Sequence, residues 1–235
     1  MQNKKNQPFS HFTSTLKSKK LDNKQKDLLK LALAEDTKII FISGPSGSSK
    51  TYMAVYSALR ILQKKPESDL LYVRTIIESA DKGLGSLPGD LEEKFNPYIA
   101  PLKDKLEEMI PTKSSPSDQA QLFSSGRVQA RPINYLRGAD WKNKVVIADE
   151  AQNFTFKELT TLITRIGENT RLFICGDFMQ SDINGRTGFP EMFKLFNDKD
   201  SEERGIHCFG FTEEDIKRSE ILKFIIKRLS NKRVN

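Results

Sequence analysis

Two kinds of apolar pattern alternate along the chain. Short unbroken runs occur at Ile39–Ile42, Leu70–Val73, Val145–Ala148 and Leu172–Cys175. Continuous apolar residues over so short a length predict strands covered on both faces, as in a parallel sheet with helices on either side. They place strands at Lys38–Ser43, Leu70–Arg74, Lys144–Ala148 and Leu172–Cys175, with shorter candidates at Gly126–Ala130 and Ile206–Phe211. Between them the apolar residues spread out in helical fashion. Helices are predicted from Leu21 to about Asp36, over Thr51–Gln63, Phe156–Ile166 and Pro190–Leu195, and from Glu213 to Leu229. Leu91–Ile110 also reads as helical, interrupted by Pro97 and Pro101. Thr112–Asp118 (TKSSPSD) is the most loop-like stretch. Strands alternating with helices indicate an α/β class with a mainly parallel sheet.

Composition narrows what such a domain can do. With 235 residues and 37% hydrophobic side chains, the chain can bury a sizeable core. Lys and Arg number 38 against 31 Asp and Glu, a net charge of +7 that permits a polyanionic partner without requiring one. Cys175 and Cys208 form no metal-spaced set, which favours a reducing cytoplasm. The apolar runs are too short to span a membrane, and MQNKKNQPFS lacks the apolar segment of a secretory signal. With only His11 and His207 available, a zinc hydrolase or a Ser-His-Asp mechanism is hard to assemble.

Chemistry concentrates at three strand ends. After the first strand comes GPSGSSKT, comprising Gly44, Pro45, Ser46, Gly47, Ser48, Ser49, Lys50 and Thr51. A small-residue loop between a strand and a helix turns backbone N–H groups and the helix N-terminus toward an anion. Lys50 would reach the β- and γ-phosphates of ATP, and the Thr51 hydroxyl would ligate Mg²⁺. The usual pattern has glycine immediately before the lysine; here Ser49 stands there. After the strand Lys144–Ala148 come Asp149, which would hold Mg²⁺, and Glu150, which could polarise the attacking water. The third strand, in LFICGDFMQ, ends in Asp177 and Gln180; Gln180 could hydrogen-bond a γ-phosphate or the lytic water.

These strand ends resemble the PhoH-like ATPase family, which is related to the first RecA-like lobe of superfamily 1 helicases. The resemblance runs from about Leu21 to Leu229. It rests on FISGPSGSSKTYMAV, VRTIIE, LGSLPGDLEEKFNPYIAPL, INYLRG, VVIADEAQN, LITRIG, ICGDFMQSD and FGFTEEDIKRSEIL. It implies a single RecA-like P-loop NTPase domain at 21–230, with a basic extension at 1–20 and a basic tail at 231–235. It further implies that Gln25 contacts adenine, that Arg218 stabilises transition-state charge on a γ-phosphate, and that Arg74 touches single-stranded nucleic acid. The family's usual proline after that arginine is Thr75 here. As bare residues, Arg74 and Arg218 could equally be surface ion-pair partners, Gln25 an exposed helix position, and Arg137–Gly138 a turn.

The implied protein is an ATPase acting on RNA or single-stranded DNA. One lobe lacks the second wall that related helicases close around ATP, so a neighbouring subunit would supply it. A homo-oligomer, specifically a hexamer, follows from the resemblance. Two other readings compete: a nucleotide-gated regulatory or binding module with slow or no hydrolysis, and a small-molecule kinase. The kinase is disfavoured because the Asp149–Glu150 and Gln180 pattern belongs to ATPases.

Overall fold

The protein is described from a computed structural model, covering residues 16–17, 20–75, 91–110, 122–136, 141–181, 183, 186–217 and 219–233. The predicted loop Thr112–Asp118, the block Leu84–Gly89, Arg137–Gly138 and Arg218 lie outside the described residues. So do the parts of the 1–20 extension other than 16–17 and 20.

The strands are β1 (Ile39–Ser43), β2 (Asp69–Arg74), β3 (Val128–Pro132), β4 (Lys144–Ala148), β5 (Arg171–Gly176) and β6 (Ile206–Gly210). They form one six-stranded sheet in the order β3-β2-β4-β5-β1-β6. Every pairing is parallel. The class is therefore α/β, a single domain whose sheet carries helices on both faces. Strand alternation divides the core. Ile40 and Ile42 of β1, Val145 and Ile147 of β4, and Phe173 and Cys175 of β5 enter one apolar layer. Their alternate neighbours Ile39, Phe41, Val146, Ala148, Leu172 and Ile174 enter the other. A period of two applied to unbroken apolar runs produces this double-sided burial.

Helices α1 (Asn23–Leu33), α2 (Lys50–Lys64) and α3 (Leu91–Met109) supply the first layer, with Leu28, Met53, Leu59, Leu102 and Leu106 almost wholly buried. Helices α4 (Phe156–Ile163) and α5 (Phe189–Leu195) supply the second through Leu159, Leu162, Phe189 and Met192. The start of α1 is set by a reciprocal cap: Gln25 N–H donates to Asp22 Oδ1 at 2.8 Å, and Asp22 N–H donates to Gln25 Oε1 at 3.2 Å. Thr155 and Glu158 cap α4 in the same way.

Several boundaries differ from the sequence reading. α3 runs unbroken through Pro97 and Pro101. Each proline removes one backbone donor, but Leu102, Leu106 and Met109 are anchored in the core and hold the helix together. β3 begins two residues later than expected, because Gly126 N–H closes a turn onto Phe123 O (3.0 Å) with Gly126 at φ 74°. The expected helix from Glu213 splits into a 3-10 turn (Glu213–Asp215) and α7 (Glu220–Arg233), so the backbone at 231–233 continues that helix. A short helix, α6 (Lys199–Glu203), begins where Asp198 accepts from Ser201 N–H at 2.9 Å. In the extension, Lys17 N–H donates to Met109 O at 2.8 Å, tying the chain to the end of α3. Among the described residues no helix is long and apolar enough to cross a membrane.

Phe41 is fully buried at the centre of the second layer, stacked on Phe196 at 5.7 Å and edge-on to Phe193 at 6.5 Å. Phe41→Ala is expected to cost about 3–5 kcal/mol of stability. Urea denaturation of the two proteins checks this; a loss below about 1 kcal/mol would show that the second layer is not part of the cooperative core.

Candidate functional site

Because all six strands are parallel, their carboxyl ends share one edge, where ligand sites of open α/β sheets lie. β1 delivers the glycine loop there, β4 delivers Asp149 and Glu150, and β5, lying between them, delivers Asp177 and Gln180. The loop is built from unusual backbone. Gly44 has φ 155°, and a Cβ on it would stand 2.7 Å from Phe211 Cβ and 2.8 Å from Ser48 Oγ, so only glycine fits between β6 and the loop. Gly47 lies at φ 82° and Ser49 at φ 71°, ψ 20°. Ser49 thus holds the left-handed conformation that glycine would take without penalty, and it caps α2 with no side-chain hydrogen bond. Ser48 is buried, its hydroxyl donating to Pro45 O at 2.8 Å. The Lys50 ammonium folds over the loop, donating to Gly44 O (2.6 Å) and Pro45 O (2.9 Å).

The carboxylates are organised by their neighbours. Asp149 is 2% exposed; its Oδ1 accepts from the Thr51 hydroxyl at 2.8 Å and its Oδ2 from the Tyr72 phenol at 2.5 Å. Burial, and then the Asp149 charge, hold the Tyr72 phenol well above its ordinary pKa, so it stays a donor. Glu150 has φ 56° and ψ 45°, a second non-glycine residue in the left-handed region. Its Oε2 accepts from Gln152 Nε2 at 2.5 Å, and its Oε1 lies 3.5 Å from Arg74 Nη2. Burial, and then the neighbouring Asp149, raise the Glu150 carboxyl above the usual range, while Gln152, Arg74 and Lys50 pull it back. With the Glu150 side chain 44% exposed, the Arg74 pair is worth at most about 1 kcal/mol.

Ser46, Gly47, Ser49, Lys50, Thr51, Asp149, Glu150, Asp177 and Gln180 line one cavity of about 250 Å³, together with Tyr52, Cys175, Lys105, Glu108 and Lys217. Gln25 is buried with its Oε1 in the α1 cap, and it is not among the residues lining this cavity. Arg74 does not line it either, but reaches it through Glu150. Three further residues contribute that carry no sequence motif of their own. Tyr72 sits inside an apolar strand and reads as core. Gln152, two residues past Glu150, stands in sequence beside the carboxylates it serves; its Oε1 also accepts from Asp177 N–H at 3.0 Å, joining the ends of β4 and β5. Lys217 is tied to the loop by its N–H on Gly47 O (3.0 Å) and to α1 by its ammonium on Asp22 (2.6 Å).

This donor set fits a nucleotide phosphate with Mg²⁺. An ammonium and the N-terminus of the 15-residue α2 face the cavity, and hard oxygen donors from Thr51 and Asp149 meet beside them. Among the described residues no group of three or more His, Cys, Asp or Glu could hold a metal ion.

Comparison with known proteins shows the family. The family model described as "PhoH-like protein" matches residues 17–230. A "PhoH-like protein" of Mycobacterium tuberculosis is 33% identical over 190 residues, covering 80% of this chain and 51% of its own length. "Protein PhoH" of Escherichia coli is 34% identical over 193 residues, covering 81% and 52%. A Bacillus subtilis "PhoH-like protein" is 31% identical over 194 residues, covering 80% and 57%. The chain thus spans about half the length of these curated relatives. Among solved structures, the Pif1 helicase from Candida albicans matches 83% of this chain and 40% of its own at 16% identity, with a TM-score of 0.40.

Two substitutions test how the site is held. Tyr72→Phe leaves Asp149 Oδ2 without its buried donor and should cost about 1–3 kcal/mol in urea denaturation. An unchanged midpoint would mean that the phenol does not support the carboxylate. Ser49→Gly should hold stability level or raise it by up to about 1 kcal/mol, because glycine adopts φ 71° without strain. A clear loss would show that the serine side chain makes a stabilising contact.

Proposed function

The chain belongs to the PhoH-like protein family, and on that premise we propose that it binds ATP with Mg²⁺ in the cavity between Gly44–Thr51 and Asp149–Glu150, hydrolyses it, and couples hydrolysis to single-stranded RNA or DNA. The observation that carries this reading is the Thr51–Asp149 hydrogen bond of 2.8 Å, which sets a magnesium-type oxygen pair beside Lys50 and Glu150 in one cavity.

In this reading the loop amides and Lys50 hold the phosphates, while Thr51 and Asp149 would ligate Mg²⁺. The bound ion supplies neutralisation of phosphate charge. Glu150 accepts the proton of the attacking water, and burial, which raises its carboxyl above the usual carboxylate range, favours that acceptance. Gln180, exposed on the cavity rim, orients that water or contacts the terminal phosphate. Arg218 supplies further positive charge to the transition state, in its own site or a neighbour's. Gln25 contacts adenine through its Nε2 amide, since its Oε1 is engaged in the α1 cap. The working unit in this reading is a cytoplasmic ring of six copies, in which an adjacent subunit closes each site. The domain spans 21–230, flanked by a basic extension at 1–20 and a basic tail at 231–235.

A second reading, a nucleotide-gated module with slow turnover, is favoured by one feature. Both oxygens of Glu150 are engaged, by Arg74 and by Gln152, which is a poor starting geometry for a base.

Steady-state ATP hydrolysis and nucleotide binding, each with and without single-stranded RNA and DNA, decide between them. Lys50→Ala should lose nucleotide binding, whereas Glu150→Gln should retain it and lose turnover by about 10²-fold or more. Ser49→Gly should turn over at least as fast as the parent protein. Wild-type turnover that survives both Lys50→Ala and Glu150→Gln would reject the site; turnover indifferent to nucleic acid would favour the gated module.

A further inference from the structure

The segment 211–217 leaves β6 and runs past the glycine loop towards α7. Its two ends are fixed on β1 and the loop: Phe211 N–H donates to Ser43 O at 2.8 Å, and Lys217 N–H to Gly47 O at 3.0 Å. Two ion pairs then cross from the segment to the start of α1. Lys24 Nζ lies 2.7 Å from Asp215 Oδ2, and Lys217 Nζ lies 2.6 Å from Asp22 Oδ2. The pairs differ in where their lysines stand. Lys217 lines the cavity beside the loop, whereas neither Lys24 nor Asp22 does. Three lysines line that cavity against four carboxylates. Lys50 donates to the carbonyls of Gly44 and Pro45, and Lys105 pairs with Glu108 of the same cavity wall at 3.0 Å. Lys217 is drawn instead to a carboxylate outside the cavity. That carboxylate divides its work: Asp22 Oδ1 accepts from Gln25 N–H to cap α1, and Oδ2 faces the ammonium.

We propose that Lys217 is a phosphate-binding residue, whose ammonium exchanges between Asp22 Oδ2 and the phosphate chain of a nucleotide in the cavity. This rests on the nucleotide-binding reading above. The Lys217 backbone is fixed on Gly47, inside the loop that would cradle the phosphates, and its flexible four-carbon stem swings the ammonium without moving the chain. The pair it leaves is weakly held, because the two side chains are 46% and 33% exposed. A phosphate chain carries several negative charges and accepts shorter, stronger charge-assisted bonds. In a cavity where carboxylates outnumber lysines, each cation that can turn inward counts toward holding such an anion. Little else has to move. Asp22 Oδ1 keeps the α1 cap, while Lys24–Asp215 and the two backbone bonds keep the segment in place. Asp22 therefore competes with the phosphates for one ammonium, and linkage requires that removing its charge tighten nucleotide binding.

Opposite signs at the two residues distinguish this role from a merely structural one. Binding of the non-hydrolysable mant-AMPPNP and of mant-ADP, each with Mg²⁺, is followed by fluorescence titration of the full chain. Lys217→Ala should weaken binding about tenfold, and Lys217→Arg should stay close to wild type. Asp22→Asn should tighten it by about two- to fivefold, because asparagine caps a helix as well as aspartate does but releases the ammonium. Combined with Lys217→Ala, Asp22→Asn should bring no gain. Lys24→Ala breaks the other pair between the same elements and should leave the affinity unchanged. A loss with both nucleotides assigns Lys217 to the phosphates they share; a loss confined to mant-AMPPNP assigns it to the terminal one. If the pair only pins the segment to α1, Asp22→Asn weakens binding as Lys217→Ala does, and the proposal is overturned. A gain from Asp22→Asn that persists without Lys217, or a tenfold loss from Lys24→Ala, overturns it too. Should the wild type bind nucleotide, lose it with Lys50→Ala and ignore Lys217→Ala, the proposal falls alone. Should the wild type bind neither nucleotide, the reading of the site falls with it.

Discussion

The buried carboxylate of Asp149 is the constraint around which this protein is arranged. Almost wholly removed from water, it needs donors, and it takes them from Thr51 at the start of α2 and from Tyr72 inside β2. These two bonds connect the helix after β1, the end of β4 and the middle of β2. Three elements far apart in sequence are held in one geometry by the cost of leaving a charge unpaired. The carboxylate would serve Mg²⁺ because it is already positioned for other reasons.

Two residues at this edge of the sheet hold strained backbone. Ser49 and Glu150 both adopt left-handed backbone, one beside the lysine of the loop and the other beside Asp149. Neither residue gains intrinsically from this conformation, and the surrounding network must hold it in place. For Glu150 that network is visible: Gln152 binds its Oε2 and Asp177 N–H, while Arg74 faces its Oε1. The network offers a direct physical route from the ends of β2 and β5 to the proposed base.

Much of this was legible from residue types alone. Unbroken apolar runs located β1, β2, β4 and β5, because a strand covered on both faces has no polar side to conceal it. The glycine loop and the Asp149–Glu150 pair announced themselves by chemistry that a sheet interior does not otherwise tolerate. Other features could not be read this way. Tyr72 is one hydroxyl in an apolar run, and nothing local reveals that Asp149 lies beside it. α3 passes two prolines because Leu102 and Leu106 are anchored by tertiary packing, which a propensity argument does not include. The Gln25 amide suggests a base contact, yet its position follows from the Asp22 cap three residues earlier.

The placement of β5 has a consequence of a different kind. It lies between β1 and β4, so two inter-strand steps, roughly 9.5 Å, separate the strand feeding the loop from the strand feeding the carboxylates. That interval is a property of backbone hydrogen bonding and does not depend on which side chains the strands carry. The sheet therefore works as a fixed-width jaw. Substitutions can change the charge on its teeth, and loops can change its depth, but its gape is set by counting strands. Side chains then close that interval, as the 2.8 Å bond from Thr51 to Asp149 does across it.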